Sequence, residues 1–60
     1  MIDKIATEWY LNKHVSLLIN GKFFKGIITS ISDNYLVLKF NDEFQVWSYS
    51  IIDSIQEVER

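Results

Sequence analysis

The chain has 60 residues, a formal net charge of −2, a single histidine and no cysteine. A chain of this length forms one domain, which buries only about 60% of its unfolded surface and is marginally stable alone. The absence of cysteine excludes a disulfide, a cysteine-based zinc site and a thiol nucleophile, and one histidine cannot hold a metal alone. We therefore expect no metal and no other cofactor. Oligomerisation is the remaining way to stabilise so small a domain.

Charge and hydropathy narrow the class of protein further. Six Lys and Arg residues stand against eight Asp and Glu residues, and they form no long basic run. Purely electrostatic binding of duplex DNA is therefore not expected. Nothing resembles a signal peptide, and no apolar stretch approaches the roughly 20 residues of a membrane span. We expect a cytoplasmic protein with no membrane partner.

The first predicted element is a short amphipathic helix within residues 1–12. Ile2, Ile5, Ala6 and Trp9 recur at helical spacing, with polar residues between them. A helix this short does not persist alone in water, so its apolar side must pack on something. We expect it to cover one open end of a β-barrel.

A β-hairpin is predicted next, because Asn20-Gly21 lies between two apolar, β-rich segments, residues 14–20 and 22–32. Asn-Gly is the strongest short hairpin signal, since both central residues of a type I′ turn need positive φ. Gly26 lies inside the return strand and permits a bulge or a sharp bend there.

Three further strands are predicted at residues 35–40, 44–49 and 54–59, with a tight connector over residues 50–53. The connections are too short for parallel crossovers, so neighbouring strands must pair mostly antiparallel. The sequence thus predicts one mainly β domain over residues 1–60. It consists of the N-terminal helix and a strongly bent, five-stranded antiparallel barrel over residues 14–59. Exposed edges at the fourth and fifth strands would invite a neighbouring subunit.

Catalysis finds little support in the residue pattern. His14 is the sole imidazole, and no Ser or Asp lies at a spacing from it that would indicate a catalytic partner. Asp33, Asp42 and Glu43 lie in predicted turns, where carboxylates cap the backbone. No glycine-rich loop precedes a helix, so a phosphate loop is absent. We expect a binding protein and no enzyme.

Three segments resemble the motifs of the Sm-like family, which includes the Hfq-like proteins of bacteria. LLINGKFFKGII (17–28) resembles its first motif: an apolar strand, Asn-Gly and a glycine that opens a bent second strand. DNYLVL (33–38) resembles the turn and third strand, and SIIDSI (50–55) the connector into the last strand. The resemblance implies an SH3-like barrel in a homo-oligomeric ring of six or seven subunits, joined through the fourth and fifth strands.

The resemblance also implies a ligand, single-stranded RNA bound around the pore, and a regulatory RNA-chaperone function. The implied RNA-contacting residues lie in the second-to-third-strand turn and in the connector: Ser32, Asp33, Asn34, Tyr35, Ser48, Tyr49 and Ser50. An aromatic ring stacks a splayed base, while amide and hydroxyl groups bond its edge. Ordinary strand packing is the alternative interpretation of both tyrosines.

Two departures from the family pattern favour another function. The family aspartate falls one residue late, at Asp33, and the cationic pair of the connector is replaced by Tyr49-Ser50-Ile51. The alternative is therefore a protein-interaction or scaffold module that keeps the barrel and binds no nucleic acid. Lys22 and Lys25 flank the first hairpin turn and could form a small basic rim. Trp9 and Trp47 could face the core, a subunit or a ligand.

Overall fold

The computed structural model of the protein describes residues 2–58. Five antiparallel strands form one sheet in the order β4-β3-β2-β1-β5, and a short helix precedes them. The elements are α1 (Lys4–Glu8), β1 (His14–Ile19), β2 (Lys22–Ile31), β3 (Tyr35–Phe40), β4 (Glu43–Ser48), a 3₁₀ turn (Tyr49–Ile51) and β5 (Ile52–Glu57). The prediction of a mainly β, antiparallel fold with an N-terminal helix is confirmed. Positions 1 and 59 of the predicted helix and barrel lie outside the described residues.

Two tight hairpins set the register of the sheet. Asn20 and Gly21 have φ values of 55° and 78°, and Ile19 pairs directly with Lys22, so the predicted type I′ signal is confirmed. Asn41 and Asp42 repeat this conformation, with φ values of 52° and 66°. This second two-residue turn starts β4 at Glu43, one residue earlier than the sequence pattern predicts.

Gly26 lies where β3 crosses closely over β2. A Cβ atom on this glycine would sit 2.5 Å from the backbone oxygen of Lys39 and 2.9 Å from Cγ of Leu38. The glycine therefore permits the close approach that a bent sheet needs. The irregularity in the β2–β3 register lies further along, between Ile28 and Ser30. The bend and the bulge are two separate features of β2.

The core occupies one face of the curled sheet. Its buried apolar residues are Val15, Leu17, Ile19, Ile28, Leu36, Leu38, Tyr49 and Ile52. A flat sheet would leave that face open, yet the structure measures only 25 × 23 × 20 Å. The ring centroids of Phe24 in β2 and Trp47 in β4 are 4.9 Å apart, although the residue of β2 that lies across β3 from Trp47 is Ile31, seven residues beyond Phe24. The sheet thus curls over its own interior, but β4 and β5 remain its two edges among the described residues, so the sheet does not close into the predicted barrel.

The helix is shorter than predicted, and it turns a different side to the core. Asp3 caps it, because its carboxylate accepts the Ala6 N–H at 2.8 Å. It ends at Glu8, since the following segment is drawn onto β2, where the Asn12 N–H donates to the Ile28 carbonyl at 2.7 Å.

The predicted apolar side of the helix is therefore wrong. Ile5 and Trp9 are 72% and 75% exposed. Thr7 is the buried residue of the helix, and Ile2 and Tyr10 pack against the core from either side of it. Among residues 2–58, no helix is long and apolar enough to cross a membrane.

Candidate functional site

The two loops predicted to bind RNA lie side by side. We call residues 32–35 and 48–50 together the loop junction. Its backbone connections come from Tyr49, whose N–H donates to the Asn34 carbonyl at 3.1 Å and whose hydroxyl donates to the Ser32 carbonyl at 2.5 Å. Tyr35 pairs with Ser48 across the β3–β4 ladder. All seven residues singled out from the sequence thus belong to one region of the surface and the core beneath it.

Tyr49 holds the junction together from inside. Its side chain is 6% exposed and belongs to the hydrophobic core, so its ring offers no face to a base. Burial, reinforced by the carboxylates of Asp33, Glu8 and Asp3, raises the pKa of the Tyr49 phenol above its ordinary value. The phenol therefore stays protonated and keeps donating to Ser32 at neutral pH. Of the two interpretations of Tyr49, packing is the one that fits its burial.

Tyr35 remains the exposed ring of the junction, with 41% of its surface accessible. Hydroxyl and amide groups lie around it: Ser48 is its cross-strand partner, and the Ser48 and Ser50 hydroxyl oxygens are 2.9 Å apart. Asn34 is exposed in the turn that precedes it. A ring with hydrogen-bonding groups beside it is the arrangement that stacks a base and reads its edge.

A cation that the sequence pattern did not indicate reaches the junction from the helix. Lys4 Nζ lies 3.2 Å from Asp33 Oδ1, and both side chains are largely exposed. An exposed pair of this kind contributes at most about 1 kcal/mol to stability. No regularity in the sequence links positions 4 and 33, so only the packing of α1 could reveal this contact.

Electrostatically, the junction is more acidic than basic. The carboxylates of Asp33, Glu8 and Asp3 all act on the Tyr49 phenol, whereas Lys4 is already paired with Asp33. Such a region repels phosphate groups but can still accept hydrogen bonds from amino groups. The arrangement suits recognition of bases better than recognition of a phosphate backbone.

A second feature lies between the two edges of the sheet. We call it the edge cleft; its volume is about 580 Å³. The Phe24 and Trp47 rings form one side of it, and Ser50 of the loop junction borders it. Its lining residues are Ile19, Asn20, Lys22, Phe24, Trp47, Ser50, Ile51 and Asp53. Trp47, whose Nε1–H donates to the Gln45 side chain at 3.3 Å, thus faces this cleft.

The predicted basic rim does not form as one patch. Lys22 and Lys25 are three residues apart in β2, whose pairing with β1 runs without a break through both. Alternate residues of a strand point to opposite faces, so the two ammonium groups lie on opposite sides of the sheet. Lys22 borders the edge cleft, and Lys25 borders a different cavity.

The side chains that bind metals do not cluster among residues 2–58. No group of three or more His, Cys, Asp or Glu side chains within these residues could hold a metal ion. His14 is exposed at the start of β1, where its carbonyl accepts the Val58 N–H at 2.9 Å.

The fold and the site define a small, antiparallel β protein with a curled sheet, two edge strands among residues 2–58 and a loop junction held by a buried tyrosine. Residues 2–56 match the family described as Domain of unknown function (DUF6897). The chain therefore belongs to that family. No curated protein and no solved structure gives a significant match to it.

Proposed function

We propose that this protein is an Sm-like, self-assembling module that binds single-stranded RNA in the cytoplasm. The loop junction is the observation that carries this proposal. Two hydrogen bonds from the buried Tyr49 hold the turn of residues 32–35 beside the connector of residues 48–50. The ring of Tyr35 is left exposed there among hydroxyl and amide groups. This is a binding surface, and we propose no catalytic function for it.

Self-assembly is supported by the edges of the sheet. β4 and β5 have no partner strand on their outer sides among the described residues, and free edges pair readily with another chain. Phe44 and Val46 in β4 are 65% and 63% exposed, which is unusual for apolar side chains of a lone domain. We propose that β4 of one subunit pairs with β5 of the next. The curled sheet would then complete an Sm-like, SH3-like barrel within a ring of six or seven subunits.

RNA recognition in this proposal is directed at bases. Tyr35 stacks a splayed base, and Asn34, Ser48 and Ser50 bond its edge. Asp33 accepts from an exocyclic amino group while Lys4 holds it in place. Because the surrounding carboxylates disfavour phosphate, we expect binding at this junction to depend only weakly on salt.

A second candidate is a protein-interaction or scaffold module, and the helix is the observation that favours it. Ile5 and Trp9 project from α1 and its C-terminal cap with most of their surfaces accessible, and Leu11 is 42% exposed. Aromatic and aliphatic residues exposed together are typical of protein interfaces. In this case the barrel would be a rigid support for the helix surface.

Fluorescence anisotropy with labelled oligo-U and oligo-A, at low and physiological salt, tests the leading proposal. We expect binding of at least one oligonucleotide. Tyr35→Ala should weaken it roughly tenfold or more, since base stacking contributes about 1–3 kcal/mol. Phe23→Ala is the matched control, because Phe23 is a 66% exposed aromatic residue outside the junction. Equal losses in both variants, or no binding at low salt, would replace this proposal with the interaction module.

Light scattering tests the assembly separately. We expect a mass of six or seven chains, and Val46→Lys should reduce it by placing a charge on the β4 edge. A strict monomer at all concentrations would remove the Sm-like ring from the proposal. The anisotropy measurement would then report RNA binding by a single subunit.

A further inference from the structure

A row of side chains crosses the outer face of the sheet, away from the core. His14 pairs with Ile27, Ile27 with Lys39, and Lys39 with Phe44, so the row passes through four strands. Directly opposed residues of antiparallel strands share a face. The core residue Val15 follows His14 immediately and points the other way. The row therefore lies outside, with His14 and Lys39 on either side of Ile27.

Lys25 joins this group, because it precedes Ile27 by two residues in β2 and so shares its face. Three basic side chains from three strands thus surround one apolar position. They border a cavity of about 300 Å³, which we call the basic cleft. Its lining also includes Val15 of the inner face, Phe40 at the end of β3 and Val58 after β5, so the cavity extends from the outer face around this end of the sheet.

The charge of the basic cleft differs from that of the chain. The protein carries a net charge of −2, yet among residues 2–58 no acidic side chain lines this cavity. Glu57 lies next to Val58, but Lys13 Nζ approaches its carboxylate to 3.9 Å. Asp42 and Glu43 follow the lining residue Asn41, but neither lines the cavity, so the charged side chains of the lining itself are the two lysines. Such a site attracts an anion.

Aromatic surface accompanies the basic groups. Phe40 lines the cleft and is 49% exposed. Phe44, the next residue in the cross-strand row, is also exposed, and Lys39 Nζ lies 5.7 Å from its ring centroid. Lysines beside exposed rings form the combination that binds both parts of a nucleotide: ammonium groups bind phosphate, and a ring stacks the base.

We propose that the basic cleft is a nucleotide site. Lys25, Lys39 and His14 donate to the phosphate, and Phe40 packs against the base. The ligand is a nucleoside monophosphate unit, either free or within an RNA strand. This inference goes beyond the loop junction, because Phe40 and Tyr35 occupy opposite ends of β3, about 17 Å apart along the strand. Binding at the cleft does not depend on RNA binding at the junction.

NMR titration of the full chain tests the site, with adenosine 5′-monophosphate, adenosine and inorganic phosphate as probes. We expect the monophosphate to shift the backbone amides of His14, Ile27 and Lys39, and to bind at least tenfold more tightly than adenosine. The double variant Lys25→Gln/Lys39→Gln should weaken it about tenfold or more, as expected for lost charge-assisted hydrogen bonds. Lys22→Gln removes one positive charge from the same strand outside the cleft and should change affinity less than about twofold.

Phe40→Leu separates the contribution of the base to the binding affinity from that of the phosphate. We expect it to weaken the monophosphate severalfold and to leave inorganic phosphate unchanged, because only the base stacks on the ring. Three results would overturn the nucleotide site: no shifts at the cleft, equal binding of adenosine, or equal binding of inorganic phosphate. Circular dichroism of each variant checks that the sheet is intact.

An oligonucleotide distinguishes the two sources of the ligand. Tighter binding of oligo-A than of the monophosphate, with the same amide shifts, assigns the site to an RNA strand. Equal affinities assign it to a free nucleotide. The amide shifts of His14, Ile27 and Lys39 report on the cleft, and those of Asn34 and Tyr35 report on the loop junction, so failure of the junction and failure of the cleft can be told apart.

Discussion

Strands β1 and β4 have the same length and a similar alternation of side chains, but they end in opposite environments. In β1, every second residue is buried: Val15, Leu17 and Ile19 are 1%, 0% and 5% exposed. In β4, no residue is buried, and Phe44 and Val46 are exposed. β1 lies between β2 and β5, whereas β4 is an edge. Phe44 and Val46 pair with Lys39 and Val37 on the outer face of the sheet, away from the core. The comparison teaches that the face fixed by strand register, and not an alternating pattern alone, decides which apolar groups are buried in the single chain.

The largest expected effect on the free energy of unfolding comes from the buried residues of β1. Leu17→Ala should lower the free energy of unfolding by about 2–5 kcal/mol, because it removes a fully buried side chain and leaves a cavity. Leu11→Ala, at a 42% exposed position, is the control and should cost much less. Urea denaturation of both variants measures the difference. Similar losses would show that the core does not depend on the inner face of β1.

Gly26→Ala should cost about 1–3 kcal/mol, because its Cβ would be forced against the Lys39 carbonyl and the Leu38 side chain. The same urea experiment measures it. Gly21→Ala has open space around it but a φ of 78°, so backbone strain alone should cost about 1 kcal/mol there. A fully stable Gly26→Ala protein would contradict the close crossing of β3 over β2.

Tyr49→Phe should cost about 1–2 kcal/mol, since it leaves the Ser32 carbonyl without its donor in a partly buried position. Because the pKa of Tyr49 is raised in the folded state, the phenol stabilises the fold below about pH 10, its ordinary pKa. This stabilisation is lost as the pH rises through the raised value. Thermal melts from neutral to alkaline pH should therefore show a steeper decline for the natural protein than for Tyr49→Phe. Parallel declines would mean that another group governs alkaline unfolding.

The smallest expected effect on stability comes from the exposed residues of β4. Val46→Ala should change the free energy of unfolding of the monomer by less than about 0.5 kcal/mol, because its side chain is already 63% exposed. Val15→Ala, the same substitution at a buried position, should cost about 1.5–3 kcal/mol. Denaturation at several protein concentrations separates folding from association. A concentration-dependent loss in Val46→Ala alone would identify the β4 edge as an interface.

Much of the fold could be predicted because its signals are local. Asn20-Gly21 fixes a type I′ turn through φ alone, and the short connections allow only antiparallel neighbours. The turn at Asn41-Asp42 was located, but its two-residue form was not predicted. The helix was the main error: residue spacing placed Ile5 and Trp9 on its packed side, whereas the Asn12–Ile28 hydrogen bond ends it early and turns Thr7 inward.

The candidate site, like the fold, could be predicted from the sequence only in part. The sequence singled out both loops of the junction through their resemblance to Sm-like motifs, and the structure brings them together. The burial of Tyr49, the reach of Lys4 to Asp33, and the separation of Lys22 from Lys25 all depend on how the sheet curls. The basic cleft likewise joins His14, Lys25 and Lys39 only through strand pairing.

By itself, the sequence determined the turns, the strand alternation and the antiparallel connections, because each depends on neighbouring residues and their backbone preferences. Tertiary structure decided which strands became edges, which tyrosine was buried and which charges met. Those outcomes depend on contacts between residues distant along the chain, and no local pattern encodes them.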